Sequence, residues 1–303
     1  MTTSFDTTPL SASHDIPLVA GLSKIMHRYD GVILDLFGVL HNGIEPYPGT
    51  IPALKALKAE GKPVVLLSNT PKLSIRSAED LHAMGITDDL YDRLITAGDA
   101  AHIALRDKTD DFHKACGRAC WFMGPEKMAH ILEGLNFDVL DGPEGASFIL
   151  NSMPGTENES IEDLENMLKR GAGMDLPMVC ANPDLVVNIG DNQFKCAGTF
   201  ARFYEDKGGR VAYHGKPYAR VYEMAQEVLQ ISDPSRIVAV GDSLHTDIQG
   251  AKNFGIDGIF NLVGIHREEV LMDDADDIDL EKVRLVLANQ PHTPIAVMEG
   301  LTW

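Results

Sequence analysis

Three short apolar runs in the first hundred residues, Val32 to Leu36, Pro63 to Leu67 and Leu94 to Thr96, are separated by amphipathic segments of helical length, and that alternation leaves few folds open. Pro48-Gly49-Thr50 opens a helix over Ile51 to Glu60 that Gly61 closes, and a second helix over Ser74 to Met84 stops at Gly85. Strands joined by helices pair in parallel through right-handed crossovers, so a parallel sheet is expected. The pattern returns late in the chain. Val211-Ala212-Tyr213 precedes His214-Gly215-Lys216-Pro217 and a helix over Tyr218 to Leu229, and Arg236 to Val240 precedes Gly241-Asp242-Ser243 and a helix over Thr246 to Phe254. Gly258 to Val263 reads as a last strand. Between these halves lie strand candidates at Cys120 to Met123, Ser147 to Leu150 and Met178 to Ala181, with helices over Glu126 to Leu135 and Ile161 to Arg170. The expectation is an α/β protein: a Rossmann-like parallel-sheet core domain from residues 1–97 and 206–303, with residues 98–205 inserted as a second α/β domain. The tail from Glu281, a helix signal and then the apolar Ile295-Ala-Val-Met, reads as packing on the core edge or as a dimer element.

Composition excludes partners more than it selects them. A chain of 303 residues, 44% hydrophobic and 23% charged, can bury a substantial core. Its net charge of -19 argues against nucleic acid or an anionic membrane surface as partner, so an anionic small substrate needs a local positive site or a metal. Four cysteines (Cys116, Cys120, Cys180, Cys196) make no disulfide framework, and Cys116-x-x-x-Cys120 lacks the second ligand pair of a zinc site. They read as buried small hydrophobes in a reducing compartment. The N-terminus carries Asp6 and Asp15 and no Lys or Arg before Lys24, unlike a signal peptide, and no apolar run nears the ~20 residues of a membrane span. A cytoplasmic location is expected. Met272 to Asp279 reads as a solvated acidic loop.

The residues that carry chemistry sit at the ends of the apolar runs. Gly31-Val-Ile-Leu-Asp-Leu-Phe-Gly-Val-Leu40 delivers Asp35 into a glycine turn, with Phe37 two residues later. Strand ends form the ligand crevice of an open α/β sheet, so Asp35 reads as a nucleophile, a metal ligand, or simply the start of a turn. Ser68-Asn69-Thr70, Lys216, and Asp242 with Asp247 follow apolar runs in the same way. In this order they resemble the four motifs of the haloacid dehalogenase-like hydrolase superfamily: an Asp, a Ser or Thr, a Lys, and Gly-Asp-x-x-x-x-Asp, here Gly241-Asp242-Ser-Leu-His-Thr-Asp247. The 33 residues from Asp35 to Ser68 leave no room for a helical cap, whereas the 148 from Ser68 to Lys216 hold an α/β cap of C2 type. Gly38-Val39-Leu40 through Gly43, Pro48-Gly49, Gly85-Ile86, Asn182-Pro183-Asp184 and Gly215-Lys216-Pro217 are similar to subfamily IIA, the NagD-like and p-nitrophenylphosphatase-like group.

The resemblance implies a Mg²⁺-dependent hydrolase of small phosphorylated metabolites. Asp35 would be the nucleophile that forms an aspartyl-phosphate, with Mg²⁺ held by Asp35, Asp242, the backbone carbonyl of Phe37 and Asp247. Ser68, Asn69, Thr70 and Lys216 would bind the phosphoryl group, and Asn182 and Asp184 would line the substrate entrance or form an Asx turn. The chain departs from the family at Phe37, where a second Asp usually protonates the leaving oxygen and then activates water. General acid-base help is worth roughly 10² to 10⁴-fold, so weak activity on alkyl phosphates is expected. His41 or His245 could replace the acid, or remain ordinary loop histidines. The alternatives are a phosphotransferase or a phosphate-ligand binding or sensing protein with little turnover. The related group also suggests a homodimer.

Overall fold

The computed structural model describes residues 8–9, 16–152, 161–189, 192–272, 277–288 and 290–303. Asp6, Asp15 and the centre of the acidic loop, residues 273–276, lie outside the described residues. In chain order the strands are β1 (Thr8–Pro9), β2 (Pro17–Leu18), β3 (Gly31–Leu34), β4 (Val64–Ser68), β5 (Arg93–Thr96), β6 (Ala119–Met123), β7 (Asp138–Leu140) and β8 (Phe148–Asn151). They continue with β9 (Pro177–Cys180), β10 (Val186–Ile189), β11 (Asn192–Lys195), β12 (Arg210–Tyr213), β13 (Ile237–Gly241), β14 (Asp257–Asn261) and β15 (Ala296–Met298). Two compact units emerge. One is built from the chain up to Leu67, Ala78–Leu94 and Tyr222–Trp303, the other from Ser68–Ser77 and Ile95–Val221.

The first unit is organised on an eight-stranded sheet of order β1-β2-β15-β14-β13-β3-β4-β5. β1 pairs antiparallel with β2, while β3, β4, β13, β14 and β15 pair in parallel. Every residue of β3, β4 and β13 is buried, which is why these segments read as unbroken apolar runs rather than alternating ones. The helix Thr50–Ala59 buries Ala53, Leu54 and Leu57 at the spacing of one helical face. The last strand is β15, not Gly258 to Val263, and it places the tail inside the sheet beside β14 with Val297 opposite Phe260. Three residues are too few for a period to show, so only the burial of β14 on both sides reveals that it needs this neighbour.

The second unit carries a five-stranded parallel sheet of order β12-β9-β8-β6-β7 and the hairpin β10-β11. β12, the run that introduces Lys216, pairs with β9 in this sheet, Ala212 opposite Val179, and not in the eight-stranded one. The sequence marks a strand without marking its partner; β9 is buried throughout and takes neighbours on both sides. Glu126 to Leu135, expected as a helix, is a 3₁₀ segment over Glu126–Leu132 with Gly134 left-handed just beyond it. All four cysteines are buried and unpaired, and burial pushes their thiols up, Cys116 to about 11 and Cys120, Cys180 and Cys196 to about 12. Among the described residues no helix is long and apolar enough to cross a membrane.

Candidate active site

The register of the first unit gathers its carboxylates. β3 ends at Leu34 opposite Val240 of β13, and the Asp35 N–H extends that ladder to the Val240 carbonyl at 3.0 Å. Asp35 and Asp242 therefore each emerge one residue past neighbouring strands, at the carboxyl edge where parallel α/β sheets bind ligands. Asp247 joins them from a π-helical turn over Leu244–Ile248, a widened turn that recurs at functional sites. One oxygen from each of Asp35, Asp242 and Asp247 lies within 4.8 Å of the others, and all three residues are buried. Backbone donors orient them: the Ile265 N–H reaches Asp242 Oδ2 at 2.7 Å and the Ser243 N–H reaches Asp247 Oδ2 at 3.2 Å.

The chain around Asp242 is shaped to the carboxylate. Gly38 is left-handed at φ +76°, and a Cβ on it or on Gly264 would stand 1.9 Å from Asp242 Oδ2. Asn261 holds the Gly38 turn by donating Nδ2 to the Gly38 carbonyl at 2.6 Å. Sequence reasoning misses Asn261, which lies inside the apolar run Gly258 to Val263 and whose partner Gly38 is 223 residues away. Two like charges ~4 Å apart repel by about 4 kcal/mol even at an effective dielectric of 20, and three buried carboxylates multiply that term. Among the described residues the donors of this cluster are carboxylate oxygens, which fits a hard divalent cation.

Phe37 and His41 follow Asp35 along the chain. The half-buried Phe37 ring meets His41 edge-on with centroids 4.6 Å apart, and a Cβ on Gly43 would lie 2.9 Å from Phe37 Cε1. His41 is buried, its Nδ1 accepts the Gly43 N–H at 3.0 Å, and burial pushes its pKa down to about 4. The ring is thus neutral near pH 7 with its proton on Nε2. His245 is exposed on the π-helical turn.

In the second unit the structure brings Asn69, Asp184 and Lys216 together. Asn69 Oδ1 accepts the Lys216 N–H at 2.6 Å, while its Nδ2 donates to the Lys216 carbonyl at 3.0 Å and to Asp184 Oδ1 at 2.8 Å. Ser68 ends β4 and its Oγ accepts the Thr70 N–H at 3.2 Å. Asn182 Oδ1 accepts the Asp184 N–H at 3.0 Å, the Asx turn that its position before Pro183 suggests. Just ahead of Lys216, His214 Nε2 lies 3.0 Å from His113 Nε2, and His113 Nδ1 lies 2.6 Å from Asp110 Oδ2. No motif marks this chain of groups, which runs from the exposed Asp110 to the buried His113 and His214.

Burial, then the neighbouring His113, pushes the His214 pKa down to about 3. Because its unfolded value is about 6.5, the unfolded state binds more protons between those limits, and stability conferred by the neutral ring is lost as pH falls through that window. Thermal unfolding followed from pH 7 to pH 4 is expected to show a smaller loss in His214→Gln, whose amide nitrogen can keep the bond to His113 without titrating.

A parallel α/β sheet with a buried carboxylate cluster at its strand ends is the arrangement of an α/β enzyme. The chain belongs to the haloacid dehalogenase-like hydrolase family. The family's haloacid dehalogenase-like hydrolase model matches residues 32–138 and its HAD-hydrolase-like model residues 213–283. A crystal structure of a haloacid dehalogenase-like hydrolase from Brucella suis 1330 is 30% identical with a TM-score of 0.79, covering 94% of this chain and 100% of that one. Human chronophin is 27% identical over 262 residues, 82% of this chain and 86% of its own length. The ribonucleotide monophosphatase NagD of Escherichia coli K12 is 25% identical over 255 residues, 82% of this chain and 90% of its own length.

Proposed function

We propose that this hydrolase is a Mg²⁺-dependent phosphatase of small phosphorylated metabolites, working through an aspartyl-phosphate on Asp35. The observation that carries the reading is the buried cluster of Asp35, Asp242 and Asp247 with oxygens within 4.8 Å of one another. The relatives support it in kind, since NagD is a ribonucleotide monophosphatase and another relative, AraL of Bacillus subtilis, is a sugar-phosphatase. Asp35, Asp242 and the Phe37 carbonyl would hold the cation, with Asp247 fixing the arrangement. Bound there, Mg²⁺ supplies charge neutralisation for the phosphoryl group and for the carboxylates.

The chain's own groups do the rest. Asp35 attacks phosphorus in line, the bond to the leaving oxygen breaks, and water later releases phosphate from the aspartyl-phosphate, an acyl phosphate. Ser68, Thr70 and Lys216 bind phosphoryl oxygens, Lys216 adding fixed positive charge for the transition state. The inserted segment, whose parallel sheet includes β12, is read as the cap that sets substrate choice. A neutral His41 could donate only from Nε2, and the ring of Phe37 donates nothing, so alkyl esters turn over slowly.

p-Nitrophenyl phosphate tests this reading, because its leaving group is stable as an anion and needs no proton. Hydrolysis that requires Mg²⁺ and disappears in Asp35→Asn is expected. Tight phosphate binding with no turnover of aryl or acyl phosphates would favour the second reading, a phosphate-ligand sensor, for which Phe37 is the motivating residue.

A further inference from the structure

The polar groups of Asn69 are taken up by protein, and by two partners far away in sequence. Its carbonyl and amide close a two-point bond on the main chain of Lys216, N–H and C=O together, and the second amide hydrogen goes to Asp184. An amide offers four hydrogen-bonding positions at most, and three are engaged here. Asn69 and Lys216 are both buried, at 4% and 3% exposure, so these bonds are made away from water, where each counts for more.

The two loops that present these groups are built alike. After β4, the loop Asn69-Thr70-Pro71 is tied to the start of the helix Ala97–Asp107 by the Gly98 N–H, which donates to the Thr70 carbonyl at 3.1 Å. After β9, the loop Asn182-Pro183-Asp184 is tied to the start of the helix Ala197–Asp206 by the Gly198 N–H, which donates to the Asp184 carbonyl at 3.1 Å. In each, a Cβ on the glycine would stand 2.2 Å from a proline carbonyl of the loop, Pro71 or Pro183. Gly215 is the complementary surface: at φ +118°, it would bring a Cβ within 2.5 Å of Asn69 Oδ1 and 2.8 Å of Pro183 Cδ.

We infer that Asn69 is a positioning residue and not a phosphate ligand. It clamps the backbone of Lys216, with Asp184 as its anchor, so that the ammonium stem starts from a fixed point. This departs from the role that the motif position suggests for Asn69 and removes Asp184 from the substrate entrance. It rests on the reading of Lys216 as the charge that stabilises phosphoryl transfer. A lysine has four rotatable bonds beyond its backbone, so a fixed origin is what turns its charge into a directed one.

The test is the affinity for orthovanadate, which takes the five-coordinate geometry of phosphoryl transfer, measured calorimetrically with Mg²⁺ beside thermal unfolding. Lys216→Met, Asn69→Ala and Asn69→Asp are each expected to weaken vanadate by about 100-fold, the order of loss that misplacement of ~1 Å produces. The double variant Asn69→Asp with Asp184→Asn should recover at least about tenfold over Asn69→Asp, because Asp at 69 accepts from the Lys216 N–H and from the new amide at 184. Failure of the swap to recover affinity, or full vanadate affinity in folded Asn69→Ala, overturns the clamp. Unchanged affinity in Lys216→Met instead overturns the role of Lys216, and the two failures are distinct.

Discussion

Phe37→Asp is expected to raise turnover of an alkyl phosphate such as glycerol phosphate by roughly 10² to 10⁴-fold. That is the usual worth of a positioned general acid and base, and the residue two past the nucleophile is where a carboxylate could serve both steps. The ring it replaces is half-buried, edge-on to His41 and packed beneath Gly43, so removing it opens space at the level of the Asp35 turn. Lost packing lowers stability, and thermal unfolding separates that effect from chemistry. Phe37→Asn has nearly the same shape and no proton to give, and it should show no gain. With p-nitrophenyl phosphate, whose leaving group needs no acid, the gain should fall on the release of phosphate and not on the first cleavage step. A folded Phe37→Asp protein that binds Mg²⁺ and gains nothing on alkyl esters would mean that another group already supplies the proton.

Much of the fold is readable from the chain because its strands are buried on both faces. β3, β4 and β13 are continuous apolar runs closed by glycine or polar residues, and their lengths separate them from helices. Pairing is not local information. β12 reads like a strand of the first sheet and belongs to the second, and β15 is three residues whose strand character comes entirely from the neighbour it meets. The hairpin β10-β11 is absent from the expected elements although the sequence carries a two-residue hairpin signal, Gly190-Asp191 between Ile189 and Asn192.

The carboxylate cluster was legible because each Asp follows a strand end by one residue or lies five further on, a spacing that sequence preserves. What surrounds it was not. The Ile265 N–H that orients Asp242 comes from the loop after β14, 23 residues on, and the Asn261 amide that holds Gly38 comes from the end of β14, 223 residues away. The Asn69 clamp likewise spans 147 residues to Lys216. Contacts of that range depend on the folded sheets, and no window along the chain contains both partners.

The second large effect follows from the same substitution at position 37. With p-nitrophenyl phosphate the first step needs no acid, but release of phosphate from the aspartyl-phosphate needs an activated water, and Phe37 cannot activate one. The second step should therefore lag the first by roughly 10² to 10⁴-fold, and the intermediate should accumulate. Rapid mixing is expected to show a burst of about one p-nitrophenolate per protein molecule, followed by slow steady turnover, and Phe37→Asp should abolish the burst by speeding the second step. The most direct measurement is the intact mass of protein quenched in acid after that burst, with the modified residue located by peptide mapping. One added phosphoryl group on Asp35, absent from Asp35→Asn, is the result expected; turnover with no phosphorylated protein, or a phosphoryl group on any other residue, would contradict Asp35 as the nucleophile.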